Sequence, residues 1–355
     1  MINSQATPSL RLVAWEVTRA CNLACRHCRA EAHPEPFPGQ LNTAESKDLI
    51  DQIARIGQPI LIFTGGEPLL RPDIFELVSY ADAAGLRCVM APNGTLVTPE
   101  NADRMRASGI QRASISIDGP DAASHDDFRG VPGAFASALK GIDNLKGAGL
   151  PFQINTTVSR QNFNRFKDIF DLAVELGASA WHIFLLVPTG RAASMNQGGI
   201  NAEEYEQILN WFYDFRRHTA MELKATCAPH YHRILRQRAK EDGIPVTVDN
   251  LGLEARGRGC LGGQGFCFIS HTGQVQPCGY LELDCGQVRQ TPLADIWANS
   301  EIFAKLRNQD CYSGKCSVCE YHSVCGGCRA RALTMNGDYL AEEPLCTYQP
   351  KSTRG

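Results

Sequence analysis

Three cysteines near the N-terminus, Cys21, Cys25 and Cys28, are spaced by four and three positions. They follow a short apolar run that ends at Val17. A cubic 4Fe-4S cluster normally takes four cysteine thiolates, so a loop that supplies three leaves one iron open to a small molecule, as in a reactive metal site. The alternative is a zinc site or three buried thiols. Zinc loops commonly pair two Cys-x-x-Cys halves, and these three cysteines have no fourth ligand nearby in the sequence. We therefore predict an iron–sulfur cluster with one open iron.

The bulk composition restricts the function classes. The chain has 355 residues, a net charge of −3 and 15 cysteines. The small negative charge argues against a general nucleic-acid binder. No apolar stretch reaches the ~18 residues of a membrane span, and the first ten residues lack a signal-peptide core, so we expect a cytoplasmic protein. Disulfides are rare in that compartment, and the many cysteines therefore predict metal binding.

From Leu12 to about Trp211, short β-type runs alternate with helical patterns. The predicted strands are Arg11–Thr18, Pro59–Phe63, Arg87–Ala91, Arg112–Ile117, Pro151–Val158 and Trp181–Val187. The predicted helices are Thr43–Ile56, Asp73–Ala84, Thr98–Ala107, Gly133–Ala148 and Phe166–Leu176. Such alternation favours parallel strands with crossover helices. Since about eight units close a full TIM barrel, these predict an α/β fold with a partial (β/α)6 TIM-like barrel.

Polar and glycine-rich signals recur where the predicted strands end. The cysteine loop follows the first strand, Thr64–Pro68 (Thr-Gly-Gly-Glu-Pro) the second, Asn93–Thr95 the third and Asp118-Gly119 the fourth. In a parallel barrel these ends share one rim, which carries the chemistry. Glycines let the backbone approach a ligand, and Glu67 could accept bonds from an ammonium group. A tight turn is the alternative for this segment, but its place beside the cysteine loop favours a single active site.

The last part of the chain has a different character. Ten cysteines lie between Cys260 and Cys346, and the periodic patterns break into pieces. We expect three regions: a barrel over 1–215, a helical connector with substrate contacts over 216–259, and a cysteine-rich iron–sulfur domain over 260–355. Metal rather than a large apolar core is expected to hold the last region together. One or two structural zinc sites are the alternative, since sets of cysteines bind zinc well.

Two motifs resemble the radical S-adenosylmethionine (radical SAM) superfamily. They are Cys-x3-Cys-x2-Cys at Cys21, Cys25 and Cys28, and Gly-Gly-Glu-Pro at 65–68. The resemblance implies that SAM chelates the open iron and that one electron cleaves it to a 5′-deoxyadenosyl radical, which abstracts hydrogen. The SAM contacts that it implies are, for the amino group, Gly65, Gly66 and Glu67 and, near the ribose, Ser116 and Asp118. The residue before the third cysteine is commonly aromatic; here it is His27, which could pack over the adenine.

The C-terminal cysteines resemble the SPASM-type extension of radical SAM enzymes. The dense run is Cys-x2-Cys-x5-Cys-x2-Cys from Cys316 to Cys328, and its last spacing is one residue shorter than usual. The resemblance implies auxiliary 4Fe-4S clusters. The first would be held by Cys316, Cys319, Cys325 and Cys346. A second could be held by Cys260, Cys267, Cys278 and Cys328.

Over nearly the whole chain the sequence resembles the AdoMet-dependent haem synthases of the alternative, sirohaem-based haem pathway. Segments that carry this resemblance are 128–134, 183–191, 225–230 and 325–331. It implies oxidative decarboxylation of two propionates of iron-coproporphyrin III to vinyl groups, which gives haem b. The implied partners are an iron-porphyrin substrate and a reductant such as flavodoxin or ferredoxin. An auxiliary cluster is a candidate acceptor for the electron that remains after CO2 leaves.

Other interpretations remain open from the residues alone. A peptide-modifying SPASM maturase commonly carries a leader-binding module, and only a short segment precedes the predicted first strand here. A sister enzyme acting on sirohaem-derived side chains is a second alternative. A non-enzymatic electron carrier is disfavoured because it needs no open iron.

The connector supplies candidate porphyrin contacts. On a helix after Pro229, Arg233, Arg236 and Lys240 would share one face, which could bind carboxylates or simply be solvated. The candidates for axial ligation of a haem iron are Cys227, His230 and His232.

Overall fold

The computed structural model describes residues 7–195, 199–255 and 257–351. Its strands form one sheet in which the first seven, in chain order, lie side by side and parallel. They are β1 Leu12–Thr18, β2 Ile60–Gly65, β3 Cys88–Met90, β4 Ile110–Ser116, β5 Phe152–Val158, β6 Ala180–Leu185 and β7 Glu222–Thr226. The other three are β8 Phe266–Ile269, β9 Gln274–Gln276 and β10 Gly286–Gln287.

Helices connect the strands and continue into the C-terminal region. Those of the barrel are α1 Thr43–Arg55, α2 Ile74–Ala83, α3 Pro99–Ala107, α4 Ala122–Arg129, α5 Ala134–Gly147, α6 Phe166–Glu175 and α7 Ala202–Phe215. The later ones are α8 Tyr231–Glu241, α9 Val248–Leu251, α10 Leu293–Asn299, α11 Glu301–Arg307, α12 Lys315–Val318 and α13 Arg329–Asn336. Among the described residues, no helix is long and apolar enough to cross a bilayer.

The α/β class and the parallel barrel predicted from the sequence are confirmed. All six predicted strands exist to within two residues at each end, and the five predicted helices to within one. The sheet extends further than predicted, because β7 adds to β6 and β8 pairs in parallel with β1. Strand β7 lies inside the segment expected to be a helical connector; its sequence, Glu-Leu-Lys-Ala-Thr, has too few apolar residues to indicate a strand.

The core lies between the sheet and its helices. Helix α1 begins at a capping box, in which Asn42 accepts from the backbone N–H of Glu45 and Glu45 accepts from that of Asn42. Its buried face is Leu49, Ile50 and Ile53, and this face belongs to the same apolar cluster as the strands. This arrangement fixes the strand ends at one rim, where the cysteine loop lies.

Candidate active site and cysteine groups

The cysteine loop, residues 21–28, directs each of its three thiols at an N–H donor. Cys21 Sγ accepts from the Leu23 backbone at 3.4 Å, and Cys28 Sγ accepts from the Ala32 backbone at 3.5 Å. Cys25 Sγ accepts from Arg129 Nη1 at 3.6 Å. Burial raises the pKa of Cys21 to about 12 and also raises that of Cys25. Burial thus favours the protonated thiols, and a bound metal would have to offset it, because metal ligands must be deprotonated. The donors already aimed at the three sulfurs suit thiolate ligands of such a cluster.

Two glycines hold the loop against the end of β2. The N–H of Gly66 donates to the Thr18 carbonyl, and the N–H of Glu67 donates to the Ala20 carbonyl, each at 2.8 Å. A Cβ on Gly65 would lie 2.1 Å from the Thr18 oxygen, and one on Gly66 would lie 2.4 Å from the Ala20 oxygen. Gly65 also has a φ of 152°. No larger residue fits here, so the Gly-Gly pair is needed to bring the two strand ends together.

Glu67 lies fully buried behind this contact. Its Oε1 accepts from the Leu69 N–H at 3.0 Å, and its Oε2 accepts from the Asn93 N–H at 2.7 Å. Burial raises its pKa to about 7, although both backbone donors oppose the shift. Asn93 in turn donates to Asn22 Oδ1 at 2.8 Å. Glu67 therefore ties the ends of β2 and β3 to the cysteine loop.

At the end of β4, Asp118 pairs with Arg129, whose other amino group reaches Cys25. Asp118 Oδ1 also accepts from the Thr157 N–H at 2.7 Å. Ser116 is half-buried and lies opposite Asn155 of β5. The structure thus brings Asp118 to the cysteine loop through Arg129. Helix α4, which carries Arg129, was not predicted; its Asp121 N-cap and Gly130 C-cap were the available signals.

A further residue that supports the cysteine loop, Arg191, was not predicted from the sequence. Arg191, after β6, donates from Nε to the Cys25 carbonyl and from Nη1 to the Ala32 carbonyl, each at 2.8 Å. A Cβ on Gly190 would lie 2.3 Å from the Arg29 oxygen. The only signal was a Thr-Gly-Arg sequence at the end of a predicted strand. His27, which the sequence analysis expected to pack over the adenine, stacks on Phe128 with ring centroids 4.1 Å apart.

The four cysteines predicted for one auxiliary cluster lie around one narrow cavity. This first cysteine group is Cys316, Cys319, Cys325 and Cys346. Cys316 Sγ accepts from the Glu343 N–H at 3.4 Å, and Cys325 Sγ accepts from the Gly327 N–H at 3.5 Å. Burial raises the pKa of Cys325 and that of Cys346, and the guanidinium of Arg233 beside them offsets only part of this rise. Donors to sulfur and a nearby cation suit thiolate ligands.

The second predicted set is only partly assembled. Cys278 and Cys328 pack in one small cluster, and Cys260 lies within electrostatic range of both. Cys267 is elsewhere: it is fully buried on β8 opposite Val13, and the thiol that affects its pKa is Cys285. Cys227, which the sequence analysis offered as a candidate axial ligand of a haem iron, packs with Cys278 and Cys328.

Two basic residues of the connector, Arg233 and Arg236, are already paired within the protein. Arg233 donates to both carboxylate oxygens of Glu206, at 2.8 and 2.5 Å. Arg236 donates to the carbonyls of His232 and Ala255. His230 is buried beside Tyr205 and 3.9 Å from Glu343. Burial lowers the pKa of His230 and of His232 to about 4, so both rings are neutral.

The spacing of these groups bears on the zinc alternative. Within the described ranges, no three His, Cys, Asp or Glu side chains converge closely enough to hold one metal ion. Four thiolates on zinc all bond the same atom, whereas the four on a cubic cluster bond different irons and lie further apart. Among the residues that the structure describes, a preformed site for a single zinc ion is therefore absent.

Comparisons with known proteins agree with this geometry. The model of the Radical SAM superfamily matches residues 15–173, and that of an iron-sulfur cluster-binding domain matches residues 260–329. The AdoMet-dependent heme synthase of Nitratidesulfovibrio vulgaris is 67% identical over 97% of this chain and 94% of its own length. That of Methanosarcina barkeri is 53% identical over 97% of this chain and 98% of its own length.

A solved structure shows the same fold. Streptococcus suis SuiB bound to S-adenosylmethionine matches with a TM-score of 0.72 at 14% identity, and the match covers 96% of this chain and 78% of that one. Together with the two family models, the likeness supports SAM and 4Fe-4S clusters as the cofactors.

Proposed function

The chain belongs to the AdoMet-dependent haem synthases of the radical SAM superfamily, and on this premise we propose that it converts iron-coproporphyrin III to haem b. The observation that carries the proposal is the 67% identity to a haem synthase over 97% of the chain. The radical SAM family model spans the cysteine loop, and the model of the iron-sulfur cluster-binding domain spans residues 260–329. The alternative of a peptide-modifying maturase has the weaker likeness behind it, since a mycofactocin maturase of Mycolicibacterium smegmatis is 31% identical over 94% of this chain. The family membership therefore disfavours it.

The proposed reaction acts on two propionate side chains in turn. Each loses one hydrogen atom from the β-carbon, CO2 and one electron, and becomes a vinyl group. When SAM and the reduced cluster are bound, they supply the 5′-deoxyadenosyl radical that accepts the hydrogen atom. One electron per propionate must then leave the substrate, and the C-terminal cysteines would hold the clusters that can accept it.

The chain's own residues have separate parts in this proposal. Cys21, Cys25 and Cys28 hold the cluster at the rim, and the donors aimed at their sulfurs favour the thiolate form. The segment Gly65–Glu67 binds the amino group of SAM, with the Glu67 carboxylate bonded behind it to the backbone of β3. Ser116 and Asp118 flank the ribose, and Asp118 also fixes Arg129 beside Cys25.

The C-terminal groups adjoin this rim. Tyr280 lies within electrostatic range of Cys28 and Arg29 on one side and of Cys227 and Cys278 on the other. Gly279 packs closely on Arg29, since a Cβ there would lie 2.9 Å from Arg29 Nε. Cys227 and Cys278 therefore lie near the cysteine loop, which suits an electron acceptor beside the substrate.

The test is an anaerobic assay of reconstituted protein with SAM, a strong reductant and iron-coproporphyrin III. We expect haem b to form through a monovinyl intermediate, with 5′-deoxyadenosine as co-product, both followed by liquid chromatography and mass spectrometry. A reductant of the flavodoxin or ferredoxin type should replace the chemical one. If SAM is cleaved while the porphyrin stays unchanged, the substrate assignment is wrong although the superfamily chemistry stands.

Matched cysteine variants test the site itself. Cys25→Ala should abolish SAM cleavage, because the loop then offers too few thiolates. Cys88→Ala is the control: Cys88 is equally buried but lies in the core of β3, away from the rim. SAM cleavage that persists in Cys25→Ala would overturn the proposed site.

A further inference from the structure

Cys227 follows β7 directly, at the same rim as the cysteine loop, and it packs with Cys278 and Cys328 of the C-terminal region. We propose that Cys227, and not Cys267, completes a second auxiliary 4Fe-4S site with Cys260, Cys278 and Cys328. The barrel would thus supply one ligand of this cluster and the cysteine-rich region the other three. The inference does not depend on the porphyrin substrate.

The packing around Cys328 places two other members of the group beside it. Cys227 and Cys278 both pack against the small buried cluster that contains Cys328, Val187 and Leu281. This cluster is separate from the main core of the barrel. Three cysteines from distant parts of the chain therefore pack together in one place.

Cys260 reaches the same place because of a close backbone approach. A Cβ on Gly259 would lie 2.5 Å from Pro229 Cα and 2.7 Å from the Cys325 oxygen. The N–H of Cys260 donates to that same oxygen at 3.2 Å. The glycine thus allows the segment that carries Cys260 to pass between the segment after Cys227 and the dense cysteine run.

The backbone at Cys227 is held in an unusual conformation. Its φ is 54°, in the left-handed region that residues other than glycine rarely adopt. Its carbonyl accepts from Tyr205 Oη at 2.9 Å and from Arg331 Nη2 at 3.0 Å. Arg331 follows Cys328 by three positions, so the same helix that carries one thiol fixes the other. Strain that is held in this way is typical of functional positions.

Electrostatics and hydrogen bonds are consistent with four thiolate ligands. Burial raises the pKa of Cys227, and the thiols of Cys328, Cys278 and Cys260 raise it further. The backbone N–H groups of Tyr280 and Leu281 donate to Cys278. Four like-charged groups in a buried place need a bound cation or cluster to be deprotonated together.

Cys267 faces the other way. On β8 the neighbouring Phe268 lies under the guanidinium of Arg29, 4.4 Å from the ring centroid, on the side of the rim. Successive side chains on a strand point to opposite faces, so Cys267 points into the main core, where it is fully buried. Its closest thiol contact in electrostatic terms is Cys285. It is the natural control for Cys227.

The test compares Cys227→Ala with Cys267→Ala in anaerobically reconstituted protein. With three clusters, loss of one would lower the bound iron and sulfide by about one third. We expect Cys227→Ala to lose that share or to change one component of the reduced protein's electron paramagnetic resonance (EPR) spectrum, while Cys267→Ala keeps the wild-type iron content and spectrum. Wild-type iron and spectrum in Cys227→Ala, or their loss in Cys267→Ala alone, would overturn the proposal.

A second measurement needs no substitution and guards against a misfolded variant. Cluster-loaded wild-type protein is treated with a thiol-alkylating reagent, before and after oxidative removal of iron, and each cysteine is followed by peptide mass spectrometry. Cys227 is only partly buried, so ligation must protect it. We expect it to be alkylated at least ~10-fold faster after iron removal. Equal rates in the loaded and iron-free protein would overturn the proposal.

Discussion

The barrel and the segment 308–351 hold their cysteines in different surroundings. The barrel buries aliphatic and aromatic side chains in one continuous core. In 308–351, the buried side chains other than cysteine and proline are mostly polar or small: Tyr312, His322, Arg329, Ala330, Arg331, Ala332 and Glu343. The cysteine loop therefore rests on a scaffold that folds by apolar burial, whereas the C-terminal groups have little apolar core beneath them.

The difference teaches where metal contributes to folding and where it contributes only to chemistry. At the rim, backbone bonds from Gly66, Glu67 and Arg191 fix the loop before any cluster is bound. In the C-terminal segment, a buried carboxylate, Glu343, links the two cysteine groups: its N–H donates to Cys316 Sγ and its Oε2 accepts from the Cys328 N–H. Without clusters, little besides such polar bonds would hold that segment together.

Iron removal should give the largest contrast between the two regions. Arg331 and Arg71 are both buried, at 0% and 3% exposure, one in each region. After anaerobic removal of iron, we expect trypsin to cut after Arg331 at least ~10-fold faster, because the C-terminal segment loses its ligands. Arg71, held by the carbonyls of Val17 and Leu41, should stay uncut. Peptide mapping of the digest measures both; equal cutting after Arg331 in loaded and iron-free protein would contradict the comparison.

The sequence predicted the barrel well because its strands are apolar runs with clear ends. It predicted the three-cysteine loop and the dense C-terminal run because short local spacing encodes both. It missed α4, whose Ala-Ala-Ser-His-Asp-Asp-Phe-Arg sequence has too weak an apolar face to indicate a helix. Cys227 had no local signal as a cluster ligand either, since its neighbours Cys278 and Cys328 are distant in the chain and meet it only through tertiary packing.

Arg331→Met should cause the next largest effect. Arg331 contacts both oxygens of Glu343, at 3.2 and 3.1 Å, and is fully buried. Its removal leaves a carboxylate buried without its partner, which should cost about 3 to 5 kcal/mol of the free energy of unfolding. Anaerobic denaturant unfolding of the loaded protein measures the loss.

Two further variants show whether the loss of stability in Arg331→Met comes from the unpaired charge. Lys305→Met removes an exposed pair with Glu301 and should leave the stability unchanged. Arg331→Met combined with Glu343→Gln should be more stable than Arg331→Met alone, because no charge is then left unpaired. If the double variant is no more stable, packing rather than charge holds this part of the C-terminal segment.

In the barrel, Glu67 should add a pH dependence to stability. Its pKa is raised from 4.5 to about 7 by burial. The folded state thus binds the proton more tightly, so the contribution of Glu67 is full below the unfolded pKa and is lost as the pH rises through about 7. Between pH 5.5 and 8, the stability of wild type relative to Glu67→Gln should fall by on the order of 2 kcal/mol.

Glu16, elsewhere in the barrel, should affect the pH dependence of stability in the opposite direction. Burial alone would raise its pKa, but Arg29, His271 and Arg19 outweigh burial and lower it to about 2. Its contribution is therefore full above the unfolded pKa, and Glu16→Gln should show no such fall between pH 5.5 and 8. A flat difference for Glu67→Gln would mean that the carboxylate stays ionised in the folded barrel.

Arg191→Lys should have the smallest effect and a purely local one. Lysine keeps the charge but cannot donate to the carbonyls of Cys25 and Ala32 at once, as the guanidinium does. Loss of one such bond, about 1 kcal/mol, should weaken SAM binding by roughly 3- to 10-fold. The unfolding midpoint should not change, because Gly65 and Gly66 still hold the loop to the strand ends. Calorimetric SAM titration and the EPR signal of the loop cluster measure the first effect. An unfolding midpoint that falls along with SAM affinity would mean that the loop is part of what stabilises the barrel, and the contrast with the C-terminal segment would then be one of degree only.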